Sequence, residues 1–274
     1  GGPHLHFEIR DTKSEHPYNP LFFGFEVQDR IQPDIYAITL YPLNDTSLIN
    51  GSNYPKRVKA SGKNGIYRLI SSTALQAYGE FGVGIETVDR MNGTGNSYGL
   101  HNISLEHDGQ LIYEQQLDEF AFHEGRYINS HIDYENYMRR KRRVQKSFVD
   151  NGNKLTSNKN LVRDGRLQLN DGKMHQLKYT CSDLFGNAST LAFELSATET
   201  GRMSSLGEKK AEVVRYFPME QKNTFVHEDV LVYLPSGILY DDLYFEFRVD
   251  SSLKKAVSPV YWIHKYTTPL HSYM

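Results

Sequence analysis

Cysteine occurs once in these 274 residues, at Cys181, so no internal disulfide can brace the fold and no cysteine framework marks a compartment. Long apolar runs are missing too. None approaches the roughly 18 residues that a membrane-spanning helix needs, and the opening residues lack the basic and apolar text of a signal peptide. The first residue is Gly1 and the opening reads as mid-domain, so the expectation is a fragment whose targeting segment lies upstream. Charge of one sign is not in excess either. Lys plus Arg number 31 against 33 Asp plus Glu, and a formal net charge of -2 gives no broad attraction to nucleic acid or anionic membrane. No repeat of clear period runs through the chain.

What is present leans towards β structure. The chain is 39% hydrophobic and 23% charged, within the range of a globular protein with real cores, and its 19 Tyr and 14 Phe suit pleated, half-buried strands. Short β-rich runs, among them IYAITLYPL, GVGIETVD, HNISLEHDGQLIYEQQL, HQLKYTCSD and STLAFEL, alternate with Gly, Asn and Asp turns. That spacing predicts an antiparallel sandwich. The pair around Asp183–Asn187 reads as a closing hairpin, with Gly186 and Asn187 able to take positive φ. One stretch breaks the pattern: residues 132–148 carry helix formers and the basic run Arg139 to Lys146, which predicts a helical insertion.

The predicted organisation is mainly β: residues 1–28 as the end of an antiparallel β domain, 29–200 as a sandwich with its helical insertion, 201–212 as a polar linker, and 213–274 as a second, truncated β domain.

The chemistry concentrates at the start. His4, His6, Glu8 and Arg10 alternate with Leu5, Phe7 and Ile9, which predicts a period-two strand with both histidines on one face. Catalytic zinc takes three protein ligands and leaves a fourth position to water, whose pKa it lowers. A bare H-x-H pair is most often an ordinary surface feature, so the surrounding residues decide.

Those residues are Gly1-Gly2-Pro3-His4-Leu5-His6-Phe7-Glu8-Ile9-Arg10, followed by Asn19-Pro20-Leu21. They resemble the closing motif of the LytM/lysostaphin-type zinc metallopeptidases, in which G-x-x-H-L-H-F-E-I-R precedes a short N-P-L turn. The resemblance covers about the first 25 residues. It implies that His6 is a Zn2+ ligand and that His4 is the catalytic histidine assisting the attacking water. It also implies an antiparallel β groove that hydrolyses the peptide cross-links of peptidoglycan in a secreted, periplasmic or cell-envelope protein. The family's remaining ligands, a His and an Asp in an H-x-x-x-D motif, fall before Gly1, so the piece is expected to be inactive alone. The text GEFGVGIETVDRMNGTGNSYGLHNISLEHDGQLIY further resembles the Ig-like accessory β domains attached downstream of such peptidases in Bacteroidetes-type envelope proteins. These imply wall targeting or regulation through an envelope partner. Two other classes compete: a non-catalytic peptidase relative that activates a wall hydrolase, and a wall-binding or adhesion β protein.

Elsewhere the signals are weaker. His16, His101, His107, His123, His131, His175, His227, His264 and His271 show no H-x-x-x-D or H-E-x-x-H spacing, so no second metal site is expected. Asp89, Asn92, Asn96 and Asp108 are oxygen donors without a defined calcium loop. Glu80, Asp89, Tyr98 and Tyr113 suit a sugar-facing surface or, equally, the ends of an ordinary sandwich. The basic run suits anionic polymers or, more simply, a solvated helix face. Cys181, beside Tyr179, reads as a small buried hydrophobe.

Overall fold

The computed structural model describes residues 6–71, 73–202, 213–250 and 258–272; His4 and most of the predicted linker 201–212 lie outside them. The chain is mainly β and divides into two units. Unit 1 comprises residues 1–125, 144–149 and 155–205, and unit 2 comprises 126–143, 150–154 and 206–274.

Unit 1 carries β1 (Asp34–Pro42), β2 (Leu48–Ile49), β3 (Lys56–Lys63), β4 (Ile66–Leu69), β5 (Gln76–Val88), β6 (Asn102–His107), β7 (Gln110–Gln116), β8 (Gln145–Lys146), β9 (Asn158–Lys159), β10 (Leu167–Leu169), β11 (Met174–Ser182) and β12 (Ala188–Ala197). The hydrogen-bonded order is β10-β5-β1-β3-β4-β12-β11-β6-β7-β9. β11 and β12 show the alternation expected of strands with one face in a core, and β11 pairs antiparallel with both β12 and β6. The Asp183–Asn187 turn joins β11 to β12, with Gly186 at φ 89°. Asn187 contributes differently from the expectation: its backbone N–H and side-chain amide both donate to the Asp183 carboxylate.

Two long strands change neighbours along their length. β5 pairs at Gln76–Tyr78 with β12 and β2, then from Gly79 onwards with β10 and β1. The change falls on Gly79, whose φ is +100° and whose added Cβ would sit 2.6 Å from Ser47 Oγ. β3 switches likewise, from β1 at Lys56–Lys59 to β4 at Ala60–Lys63. One hydrophobic cluster unites both sets of strands, with Ile38, Leu40, Phe81, Val83 and Ile85 on one side and Leu105, Leu177, Tyr179, Leu191 and Leu195 on the other.

The other face of β5 is covered by residues 144–149. Gly82 and Gly84 leave the space that the Phe148 ring and the Val144 side chain fill, and Tyr41 packs beside them. This packing shortens the predicted helix over 132–148. In unit 2, α1 (Ile128–His131) precedes α2 (Tyr134–Arg140), which starts at an Asp133 cap bonded to the Asn136 N–H and stops where Lys141 turns left-handed at φ 54°. Beyond it, Gln145–Lys146 pairs with β5 as β8. Burial of two apolar side chains outweighs the local helix preference of a basic run.

The predicted N-terminal strand differs as well. Residues 6–9 belong to no named strand, and the ladder begins only with an isolated bridge between Arg10 and Pro17. A strand exists only through its hydrogen-bonding neighbours, and this segment finds one short contact.

Unit 2 holds β13 (Val213–Phe217), β14 (Asn223–His227), β15 (Val230–Leu234), β16 (Leu243–Asp250) and β17 (Val260–Ile263), arranged as a β13-β16-β17 sheet and a β14-β15 hairpin. Its core stacks Phe217 on Phe245 at 4.8 Å, with Phe225 and Phe247 against them. Residues of the earlier segments complete it: Tyr240 Oη donates to the Arg126 carbonyl at 2.5 Å, the Gly152 N–H donates to the Tyr240 carbonyl at 2.8 Å, and Tyr127 stacks on His271 at 4.4 Å.

A Cβ at Gly82 would lie 2.3 Å from the Phe148 ring, whereas one at Gly95 would meet nothing within 4 Å. Thermal unfolding is therefore expected to show Gly82→Ala destabilised by about 1–3 kcal/mol and Gly95→Ala close to wild type; equal melting temperatures would refute this packing.

Candidate functional site

Three groupings of polar side chains carry chemistry, all within unit 1. The first is the segment after the H-x-H pair. His6 is exposed, and its Nε2 lies 2.8 Å from Glu8 Oε1, while Arg10 Nε donates to Glu8 Oε2 at 2.6 Å. Residues 6, 8 and 10 therefore share a face, and Phe7 turns away towards Phe25, with ring centroids 5.4 Å apart. The hydrogen bonds from Arg10 and then His6 hold the Glu8 carboxyl below its ordinary pKa. Downstream, Asn19 Oδ1 accepts the Leu21 N–H and caps a single 3-10 turn, Pro20–Phe23, which Gly24 closes at φ 77°. That explains the N-P part of the N-P-L text physically: a capping amide and a proline that needs no N–H partner. Backbone bonds from Asn19 N–H to the Asp118 carbonyl and from Phe120 N–H to the Pro17 carbonyl anchor the segment to the body of unit 1.

The second grouping is acidic. Asp29 precedes β1, Asp89 follows β5 and Asp183 follows β11, and oxygens of all three lie within 4.8 Å of one another. Asp29 Oδ1 accepts the Ile31 N–H, and Asp183 is held by Asn187. Asp29 Oδ2 and Asp89 Oδ1 are buried without a hydrogen-bond partner among the described residues. Burial, reinforced by the charges of Asp183, Asp29 and Asp34, pushes the Asp89 pKa up to about 6. Oxygen-only donors of this kind suit hard cations; without one, burial and the neighbouring charges favour the protonated form of Asp89.

The third grouping joins residues distant in sequence. β6 and β7 are linked by a two-residue turn in which Asp108 and Gly109 both take positive φ, at 50° and 79°, as the Asp-Gly hairpin signature requires. Asp108 is tied to β11 twice, by its N–H to the Gln176 carbonyl and by the Gln176 N–H to its Oδ1, each at 2.8 Å. His107 pairs across the ladder with Leu177, so His175, two residues along β11, is its diagonal neighbour on the same face. His175 Nδ1 lies 2.7 Å from Asp108 Oδ2 and 3.0 Å from His107 Nε2, and its Nε2 lies 3.0 Å from Asp171 Oδ1. Burial works against the cationic form of His175, but the hydrogen bonds to Asp171 and Asp108 outweigh it and raise its pKa. Burial lowers that of His107.

Among the sequence-derived candidates, His4 lies outside the described residues and His6 sits on the exposed face beside Glu8. The four oxygen donors separate: Asp89 joins the acidic trio, Asn92 Oδ1 accepts the Arg30 N–H, Asn96 contacts the Tyr98 hydroxyl, and Asp108 joins the histidines. Tyr113 faces the core, 1% exposed, with its hydroxyl on Asn158, and Asp89 is buried, so neither lines a sugar-facing surface. In the basic run, Arg139 pairs with Glu135 at 3.2 Å, and Lys141 and Arg143 lie over the Tyr137 ring. Cys181 is fully buried and its pKa is pushed up to about 12, the state of an inert core thiol. The sequence names His107, Asp108 and His175 only as separate residues, without metal-ligand spacing, because their proximity depends on the β6–β11 register. The Asp-Gly turn was the one local signal of it.

Comparison with known proteins finds a Zu5-like domain model matching residues 214–274. No curated protein and no solved structure matches the chain. Among the described residues, no helix is long and apolar enough to cross a membrane.

The acidic trio makes a pH-dependent expectation. Because the folded pKa of Asp89 is raised above the ordinary carboxylate value of about 3.9, its stabilising effect is complete below about pH 4 and is lost as pH rises through 6. In chelator-containing buffer, Asp89→Asn should be more stable than wild type by on the order of 2–3 kcal/mol at pH 7.5 and near-equal at pH 4. Paired melting curves at the two pH values check it, and a pH-independent difference would contradict it.

Proposed function

We propose that this chain is the C-terminal part of a zinc metalloendopeptidase that hydrolyses peptide cross-links of peptidoglycan, with its β units serving as targeting or regulatory modules at the cell envelope. The observation that supports this reading is the run Gly1 to Arg10 closed by Asn19-Pro20-Leu21, a dense and ordered match to the family's closing motif. The accessory-domain likeness is secondary.

The residues present suit the roles assigned. His6 offers an exposed imidazole whose Nε2 is occupied by the Glu8 carboxylate, which leaves Nδ1 for a metal and orients the ring, as carboxylate partners do for metal-bound histidines. Arg10 holds that carboxylate in turn. When bound, zinc supplies a water with a pKa near 7. His4, two residues earlier in the sequence, would take that water's proton as general base or hydrogen-bond the oxyanion of the transition state. His6 alone cannot hold zinc at useful affinity, so on this reading a catalytic site needs further ligands beside it. The substrate is a cell-wall peptide, and the localisation is secreted, periplasmic or envelope-bound.

The test is zinc content and muropeptide hydrolysis by the parent extended upstream of Gly1. His6→Ala is expected to lose one equivalent of zinc and all turnover, and His4→Ala to keep that zinc while losing about 10²–10⁴-fold in rate. A parent that cleaves nothing and whose zinc content is indifferent to His6→Ala would overturn the enzyme reading; the β units would then be assayed as wall-binding or hydrolase-activating modules.

A further inference from the structure

We propose that His107 Nε2, His175 Nδ1 and Asp108 Oδ2 form a binding site for one divalent transition-metal ion of the zinc class, independent of the His4–His6 pair. The three atoms stand 2.7, 3.0 and 3.4 Å apart. A tetrahedral ion with bonds of about 2.0–2.1 Å holds its ligand atoms about 3.3 Å from one another, so the triangle is already close to the face of such a tetrahedron.

Hydrogen bonding satisfies cationic His175, at Asp108 and at Asp171, but gives His107 Nε2 no linear partner of its own. His175 Nδ1 faces both Asp108 Oδ2 and His107 Nε2, and a single N–H cannot donate linearly to two acceptors. If His107 Nε2 carries a proton instead, that proton opposes the His175 N–H, and its carboxylate acceptor is 3.4 Å away. A cation in the middle gives all three lone pairs one partner.

The surroundings hold each donor in place. Asp171 Oδ1 lies at the far nitrogen of His175, the arrangement that fixes ring orientation and leaves Nδ1 for the metal. Asp108 is positioned by a tight two-residue turn, and its second oxygen is taken by the Gln176 N–H, leaving Oδ2 to point at the histidines. His175 is 8% exposed, whereas the Asp108 side chain is 48% exposed, so one side of the site is open to a water or an external ligand in the fourth position. Two imidazole nitrogens with one carboxylate select zinc, cobalt, nickel or copper over calcium and magnesium, which prefer oxygen-only shells.

The experiment uses the full 274-residue chain carrying His4→Ala and His6→Ala, so that the N-terminal pair contributes nothing. After chelator treatment and dialysis, Co2+ is titrated in and the visible ligand-field band of four-coordinate cobalt is followed, then displaced with Zn2+. One cobalt per chain is expected, with zinc raising the melting temperature. His107→Ala should abolish stoichiometric binding, and Asp171→Asn, which removes only the partner of the far His175 nitrogen, should weaken it by about 10–100-fold. Circular dichroism confirms that each variant is folded; Asp108→Asn, on the exposed turn, serves where His107→Ala is not. Absence of the cobalt band in the His4→Ala/His6→Ala chain, or a band unchanged in the folded His107→Ala or Asp108→Asn variant, overturns the site and leaves the peptidase reading untouched.

Discussion

Unit 1 is organised by a single long strand that serves two sets of neighbours. β5 runs for 13 residues, and because its first residues pair with β12 and β2 while the rest pair with β1 and β10, everything attached to it depends on one change of direction. That change requires a backbone conformation without a Cβ, at Gly79. Further along, Gly82 and Gly84 serve sterics instead, thinning one face so that a distant segment can lie flat against it. The strand's other face supplies Phe81, Val83 and Ile85 to the main core. Backbone direction, external packing and core burial are thus set within a few consecutive residues, and the strand's end delivers Asp89 to the acidic trio.

Much of this was legible beforehand where the controlling physics is local. Alternation along β11 and β12 announces strands because each residue's facing is set by its immediate neighbours, and the Asp183–Asn187 turn follows from residues that tolerate or cap tight backbone geometry. The shared face of His6, Glu8 and Arg10 is likewise a property of extended chain, even without a full ladder. The mainly-β class follows from the same signals. The misses are long-range. The helix over 132–148 was shortened by sites on β5 that its own residues do not reveal, and Tyr113 is a core residue because of what β7 packs against. His107 and His175 lie 68 residues apart, and only the antiparallel register of β6 with β11 makes them neighbours.

The two polar clusters also show how a near-neutral chain concentrates charge. A formal net charge of -2 conceals one point where three carboxylates crowd and the pKa of Asp89 is pushed upwards, and another where two imidazoles meet two carboxylates. Both lie at strand ends, where loops can bring side chains from separate elements together without disturbing the ladder. Ionisation in the first opposes burial; in the second the carboxylates oppose it in turn, raising His175.

Unit 2 is assembled from pieces that are far apart in time as well as in sequence. Tyr127 and the 150–154 segment leave the ribosome before Tyr240 and His271, the residues they bond and stack with, have been made. At synthesis rates of about 5–20 residues per second, the earlier pieces wait roughly 4–30 seconds for their partners. Through that interval α1, α2 and their flanking loops lack those partners, while β8 to β12 of unit 1 are synthesised. The consequence is an order of maturation: unit 1 can close on the nascent chain, and unit 2 only after its C-terminal strands have been released.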